Sequence, residues 1–133
     1  MDSADLREGI WNHLNANVLS VAGRIYWGHT ASAEMIKPFL VMMFRGDYPS
    51  VATPLGMFKK IEILCVGEEA NILALDPVAD EVIDAMHNQD ITTPDGRVLR
   101  CEYRRDSYID YWNEELRGNV ILLSFLMPTD FWT

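Results

Sequence analysis

The side chains best suited to catalysis or metal binding are scattered along this chain. Its three histidines are His13, His29 and His87, and none has a ligand-like spacing to another or to a cysteine. A zinc site needs three or four converging ligands. His13 and His87 fall near the ends of predicted helices, where a solvated or hydrogen-bonded role is usual. The histidines therefore predict no metal site.

Nucleophilic and acid–base chemistry has equally little support. The sequence contains no glycine-rich phosphate loop and no nucleophile elbow. Asp106 and Asp110 could face each other as an acid–base pair, although an exposed polar loop explains them equally well. We predict that the protein is not an enzyme and that it uses no cofactor.

Cys65 and Cys101 both lie in strand-like patterns. Two cysteines are too few to staple a small scaffold. Apolar surroundings favour free thiols over a disulfide or a metal pair. We predict two free, buried thiols in a protein made in a reducing cytoplasm.

Negative charge is concentrated in the second half of the chain. Lys and Arg number 11 against 20 Asp and Glu, so the formal net charge is −9. Residues 67–96 contain no Lys or Arg, whereas Asp76, Asp80 and Asp84 recur every four residues there. This spacing lines one helix face with like charges. The face is either a solvated surface or one that repels anions such as DNA and steers a basic partner.

The basic residues concentrate at one place, in the run from Arg97 through Arg100 and Arg104 to Arg105. On a continuous strand over 97–105, Arg100 and Arg104 would share a face. These arginines either pair with the acids of the preceding segment or a neighbouring subunit, or form a basic patch. Nucleic-acid binding is disfavoured because the protein's overall field repels phosphate.

Aromatic residues crowd the carboxyl-terminal region in segments that look peripheral. These residues are Tyr108, Tyr111, Trp112, Phe131 and Trp132. Exposed aromatic surface is typical of protein interfaces. We predict that these side chains take part in assembly.

The hydrophobic pattern predicts an α+β fold. Helices are expected over 3–16 and from an N-cap at Asp76 to about 86. Expected strands and loops follow the alternation and the Gly and Pro positions: strands at 24–27, 39–44, 57–66, 97–105 and 119–127, a long hairpin loop at 46–56, and a loop or short helical turn at 106–117. The last strand is apolar on both faces and should be central.

These elements predict a single domain over 1–133. Its mostly antiparallel sheet should have about four to five strands, with two main helices packed on one face. The amino terminus is acidic and does not look like a secretory signal. The longest apolar stretch, 120–127, is far shorter than the roughly 20 residues of a membrane-spanning helix. We expect no membrane association.

The order of segments resembles the tail-terminator proteins of long-tailed bacteriophages, which complete the tail and join it to the head. The resembling segments run through most of the chain: LREGIW at 6–11, GRIY at 23–26, PFLV at 38–41 before a strand ending at Gly46-Asp47, IEI at 61–63, the acidic-flanked helix at 78–86, the arginine-bearing strand and the final apolar strand. The chain departs from the family pattern at 65–67 and in the stretch before Pro77.

The resemblance implies a virion subunit that forms a homo-hexameric ring at the head-proximal end of the tail, assembled in the host bacterial cytoplasm. Its partners would be copies of itself, the tail-tube protein and the head connector or stopper, with DNA passing through without specific binding. We expect three groups of site residues: channel-facing acids at Glu68, Glu69, Asp76, Asp80 and Asp84; interface residues at Arg100, Arg104, Tyr108, Tyr111, Trp112, Phe131 and Trp132; and a tail-tube contact loop with Asp47, Tyr48, Pro49, Val51, Pro54 and Leu55.

Two other functions fit the same sequence. A small acidic binding module, such as an inhibitor or immunity protein that neutralises a basic enzyme, would use the negative charge for fast association. A head-completion protein of the same particle has no feature that separates it from a tail terminator by sequence. Assembly state distinguishes the first alternative, because rings favour the terminator.

Overall fold

A computed structural model describes residues 3–28, 30–49, 57–68 and 72–128. Two α-helices, α1 (Ser3–Asn17) and α2 (Asp76–Met86), flank the first three strands in the chain, β1 (Ile25–Trp27), β2 (Phe39–Pro49) and β3 (Met57–Gly67). Five further strands follow α2: β4 (Ile91–Thr92), β5 (Val98–Leu99), β6 (Glu102–Tyr103), β7 (Ile109–Asn113) and β8 (Gly118–Pro128). Short 3₁₀ turns lie at Leu19–Val21, Ile72–Ala74 and Arg105–Ser107.

The described strands form one six-stranded sheet and a small hairpin. The sheet runs β1-β2-β3-β8, and both β6 and β7 pair with the far side of β8. The β1–β2 pair is parallel, and all the other pairs are antiparallel. β4 and β5 form the hairpin. The predicted α+β class, with a mostly antiparallel sheet and two main helices, is confirmed.

β8 is central because it is apolar on both faces, as predicted. It pairs with β3 without interruption from Phe58↔Pro128 to Gly67↔Asn119. Both helices pack on one face of the sheet, where Leu6, Ile10 and Leu14 of α1 join the main core. The opposite face buries a smaller cluster that includes Phe39, Val41, Leu64, Val66, Val120 and Leu116. Burying each such side chain contributes roughly 1.5–3 kcal/mol.

β2 is longer than its apolar run predicts, so the expected loop at 46–56 is partly wrong. The strand continues to Pro49, with a bulge between Phe44 and Asp47, where residues 45 and 46 oppose one residue of β3. Pro49 occurs where the strand ends, a position at which proline is tolerated. Asp47, Tyr48 and Pro49 therefore belong to a strand, while Val51, Pro54 and Leu55 lie outside the described residues.

The predicted strand at 97–105 is broken into β5 and β6. β5 pairs with β4, whereas β6 pairs with β8, so the two pieces serve different sheets. Between them, Arg100 belongs to no strand and Cys101 bridges to His87. Alternation alone predicted one strand, because Leu99 and Cys101 are buried in the same core despite the break. The expectation that Arg100 and Arg104 share one strand face is wrong.

The segment at 106–117 also differs from its prediction as a loop or helical turn. It contains a 3₁₀ turn and then β7, which pairs with β8 from Ile109↔Leu122 to Asn113↔Gly118. Its residues Ile109 to Trp112 are all exposed, so acidic and aromatic side chains are tolerated. The polar sequence of β7 does not indicate a strand. β7 is a strand because β8 lies beside it and supplies the partners for its backbone hydrogen bonds.

Candidate functional site

The histidines that the structure describes serve packing between elements. His13 Nε2 lies 2.6 Å from the carbonyl oxygen of Ala85, which joins α1 to α2. His87 Nδ1 accepts the backbone N–H of Tyr103 at 3.0 Å. His29 lies outside the described residues. Within the described ranges, no group of three or more His, Cys, Asp or Glu side chains could hold a metal ion.

Cys65 and Cys101 are free and buried, which confirms the prediction. Both belong to the core between the sheet and the helices. Desolvation by burial raises the pKa of each thiol well above its ordinary range. Since the thiolate is the reactive form, these cysteines are poor nucleophiles.

The predicted acidic face exists on α2, although its members differ in environment. Asp80 and Asp84 are exposed, while Glu81 is half-buried and accepts a hydrogen bond from the backbone N–H of Ser20 at 3.1 Å. These three acids line a groove of about 510 Å³ between α2 and the end of α1. Glu68 is exposed after β3, and Glu69 lies outside the described residues. α2 therefore presents a solvent-facing anionic ridge.

Asp76 has a different role from the predicted N-cap. The N-cap position is Leu75, and no side chain caps the helix there. The carboxylate of Asp76 instead accepts a hydrogen bond from the hydroxyl of Tyr108. Partial burial, followed by this bond, raises the pKa of Tyr108. The contact fastens the segment before β7 to the start of α2.

Arg97 and Arg100 of the clustered arginines pair with nearby acids. Arg100 Nε lies 2.6 Å from Asp90, and Arg97 Nε lies 3.4 Å from Asp95. The hydrogen bond to Asp90 raises the pKa of Arg100. This is the acid-pairing alternative that the sequence left open. Both pairs are substantially exposed, so each contributes little to stability.

Arg104 and Arg105 directly follow β6 along the chain. They line a pocket of about 420 Å³ with His87, Asn88, Glu102, Tyr103 and Leu126. Arg97 and Arg100 are thus paired with acids, whereas Arg104 and Arg105 line this pocket. The interface role predicted for Arg100 and Arg104 stays a prediction.

The predicted aromatic surface is present around β7. Tyr111 and Trp112 are 39% and 41% exposed, and Ile109, which sequence reasoning missed, is 52% exposed. Tyr108 is exposed, and its hydroxyl donates a hydrogen bond to Asp76. Phe131 and Trp132 lie outside the described residues. Sequence reasoning missed Ile109 because a single apolar residue within an acidic segment shows no hydrophobic periodicity.

One edge of the sheet, at β1, is closed by hydrogen bonds. The indole Nε1–H of Trp11 donates to the carbonyl of Ile25 at 3.1 Å. The backbone N–H and the hydroxyl of Thr30 both donate to the carbonyl of Trp27 at 2.9 Å. The N–H of Ile25 donates to the carbonyl of Gly23 at 2.9 Å. A further strand would have to displace these bonds.

The opposite edge, at β7, is open. The carbonyl of Ser124 accepts a hydrogen bond from the backbone N–H of Arg104, and the N–H of Ser124 donates to the hydroxyl of Ser107. The backbone N–H and carbonyl of Ser124 therefore point away from β3. Backbone direction alternates along a strand. The backbone N–H and carbonyl groups of Leu122 and Val120 therefore point at β7. Those of Asp110 and Trp112, on β7 itself, point outward from the sheet. No residue of the described part hydrogen-bonds to those outward groups.

A groove lies beside this open edge, on the sheet face away from the helices. Its cavity of about 270 Å³ has an apolar floor of Val41, Met43 and Leu64. Tyr111 and Leu116 form part of its wall. The sequence predicted neither the groove nor the open edge of β7. We call them the β7 surface.

Comparison with known proteins identifies the fold. No protein-family model matches the chain, and no curated protein matches it. Among solved structures, a chain of the virion of the native gene transfer agent (GTA) particle superposes with a TM-score of 0.67. The fold occurs in a virion. The alignment covers 95% of this chain and 95% of that one, at 17% sequence identity.

This similarity extends over almost the whole of both chains, so it concerns the complete arrangement of helices and sheet. At 17% identity it establishes the shared fold and not a shared role. In the described ranges, no helix has the length and apolar character needed to span a membrane.

Proposed function

We propose that this protein is a structural component of a virion. The observation that carries the proposal is the superposition on a chain of a gene transfer agent virion over 95% of both chains. The described residues support a role in assembly, because they present an open strand edge and exposed aromatic side chains.

Within the virion, we propose the role of a tail terminator. The protein would form a homo-hexameric ring at the head-proximal end of the tail, stop growth of the tail tube, and join the tail to the head connector or stopper. The sequence resemblance to that family supports this finer assignment, as does an asymmetric sheet with one closed and one open edge. Rings need such asymmetry, because each subunit must contact its two neighbours through different surfaces.

The anionic ridge on α2 would face the channel through which DNA passes. Asp80 and Asp84 are exposed, and α2 carries no Lys or Arg that could bind phosphate. A wall of like charge has no cationic groups to replace the counter-ions condensed on DNA, so it provides no phosphate-binding site. Glu68, Glu69 and Asp76 would contribute to the same wall, Asp76 least because its carboxylate already binds Tyr108.

The hairpin of β2 and β3 would contact the tail tube at its tip. Asp47 pairs with Lys59 near the end of the ladder, and residues 50–56 join the two strands. Deletion of 51–55 should give overlong or unjoined tails. Tails of normal length that join heads would contradict this contact.

The direct test is electron microscopy of the purified protein mixed with polymerising tail-tube subunits from the same particle. We expect rings at one end of each tube and no further growth from that end. Tubes that lengthen equally with and without the protein would refute the terminator role. A strict one-to-one complex with a basic enzyme would instead favour the inhibitor alternative.

The channel assignment has its own charge-reversal test. Asp80→Lys with Asp84→Lys should leave rings intact but impair DNA passage and infectivity. Glu34→Lys with Glu102→Lys changes the net charge by the same amount at exposed positions outside α2 and is the matched control. Equal infectivity of the two double variants would show that the ridge does not line the channel.

A further inference from the structure

We propose that the open edge of β7 accepts residues 129–133 of a second copy as an added strand, with Phe131 or Trp132 entering the neighbouring groove. The inference rests on the proposed assembly of this chain with itself, and it names the donor and the acceptor of that contact. Strand addition of this kind derives its affinity from backbone hydrogen bonds and its specificity from side-chain pockets.

The acceptor edge offers an ordered set of backbone groups. Asp110 and Trp112 each present an outward N–H and an outward carbonyl, as the alternation from Ser124 requires. The pairing of β7 with β8 already fixes the conformation of these residues, so β7 loses little conformational entropy when a strand binds. A short extended segment can therefore form up to about four backbone hydrogen bonds there.

The groove supplies a place for an aromatic side chain. Its volume of about 270 Å³ is smaller than the roughly 300–1,000 Å³ of small-molecule sites. It suits one large side chain resting on Val41, Met43 and Leu64. Since Ile109 and Tyr111 occupy the same face at the edge itself, an added strand would continue an apolar row that already points toward the groove.

Residues 129–133 must come from another copy, because the same residues of one chain cannot reach its own β7. β8 ends at Pro128, six residues beyond Leu122, which is the partner of Ile109. Those six residues extend about 20 Å along the strand. Residues 129–133 span at most about 18 Å when fully extended. They could not reach Ile109 of their own chain, and β6 occupies the side of β8 in between.

Other edges of a second copy fit less well. β1 is closed by the bonds from Trp11 and Thr30. Pairing of β7 with its own copy is two-fold symmetric and closes at two subunits, which does not make a ring. An acceptor at β7 and a donor beyond β8 are different surfaces, so each copy can both give and receive.

The test uses the full-length protein and a synthetic peptide of residues 127–133, followed by NMR of the backbone amides. We expect shifts confined to β7 and the groove, including the amides of Asp110 and Trp112. The same peptide with alanine in place of Phe131 and Trp132 should bind at least about tenfold more weakly. Absence of shifts at β7 up to millimolar peptide, or shifts centred elsewhere, would overturn the proposal.

Asp110→Pro blocks the edge without touching the pairing to β8, because it removes an outward N–H. Asp110→Ala is the matched control, since it removes the same carboxylate and keeps that N–H. Peptide binding should be lost in the proline variant and retained in the alanine variant. Equal binding by both variants would refute strand addition, and the wild-type titration tests the proposal even if the proline variant does not fold.

Ring assembly separates this inference from the proposed function. Rings that form normally from the Asp110→Pro variant would exclude the β7 contact and leave the virion role standing. Peptide binding at β7 without any effect of the protein on tail tubes would support the contact and refute the terminator role.

Discussion

The two buried thiols should make the protein increasingly unstable at alkaline pH. Cys65 and Cys101 are buried in the core, and desolvation raises their pKa in the folded state. In the unfolded chain each thiol ionises near its ordinary pKa of about 8.5. Above that pH the unfolded state binds fewer protons than the native state, so the free energy of unfolding falls as pH rises.

The magnitude follows from that difference alone. Between pH 7 and pH 10, ionisation in the unfolded chain lowers the free energy of unfolding by about 2 kcal/mol for each thiol that stays protonated in the fold. The two thiols together therefore contribute about 4 kcal/mol, a large share of the roughly 5–15 kcal/mol that stabilises a typical domain. Below pH 8 the contribution of both thiols is intact.

Urea unfolding at pH 7 and pH 10 under reducing conditions measures this effect. The wild-type protein is compared with Cys65→Ala, Cys101→Ala and the double variant. Each substitution has its own cost at pH 7, but the difference between the two pH values should shrink by about 2 kcal/mol per cysteine removed. Tyrosine and lysine titrations are common to all four proteins and cancel. A pH difference unchanged in the double variant would refute the reasoning.

Two further substitutions test contacts that hold the elements together. His87→Ala leaves the N–H of Tyr103 without its acceptor and should cost about 1–3 kcal/mol in denaturant unfolding. His87→Asn offers an oxygen in place of Nδ1 and should recover much of that loss; equal losses would contradict the contact. The guanidinium of Arg7 lies 4.2 Å from the ring of Phe44 and 5.1 Å from that of Trp27. Arg7→Met keeps the aliphatic stem but should lose about 1–2 kcal/mol from these cation–π contacts, and an unchanged unfolding midpoint would show that the charge contributes nothing.

The predictable parts of the fold are those whose own residues show the hydrophobic pattern of the element they form. β8 is apolar at nearly every position, so its central place follows from composition. α2 begins beside Pro77 and buries Val78, Val82 and Met86 at helical spacing. In both elements the order of apolar residues along the chain predicts which side chains are buried, whatever elements pack against them.

The parts that were not predictable depend on what lies alongside. β7 is a strand because β8 pairs with it, and the acidic sequence around Asp110 does not indicate a strand. The break near Arg100 arises because β5 and β6 join different sheets, although the alternation of residues runs through both. The candidate site has the same character, since the open edge exists only through the register between β7 and β8.

The capped strand at β1 limits how copies of this protein can join. Because Trp11 and Thr30 occupy its outer carbonyls, a backbone ladder that enters a molecule at one side cannot leave it at the other. Edge-to-edge pairing of successive molecules into a continuous cross-β fibre is thereby blocked. A protein that must be stored at high concentration before it is used would benefit from such a one-sided barrier to runaway aggregation.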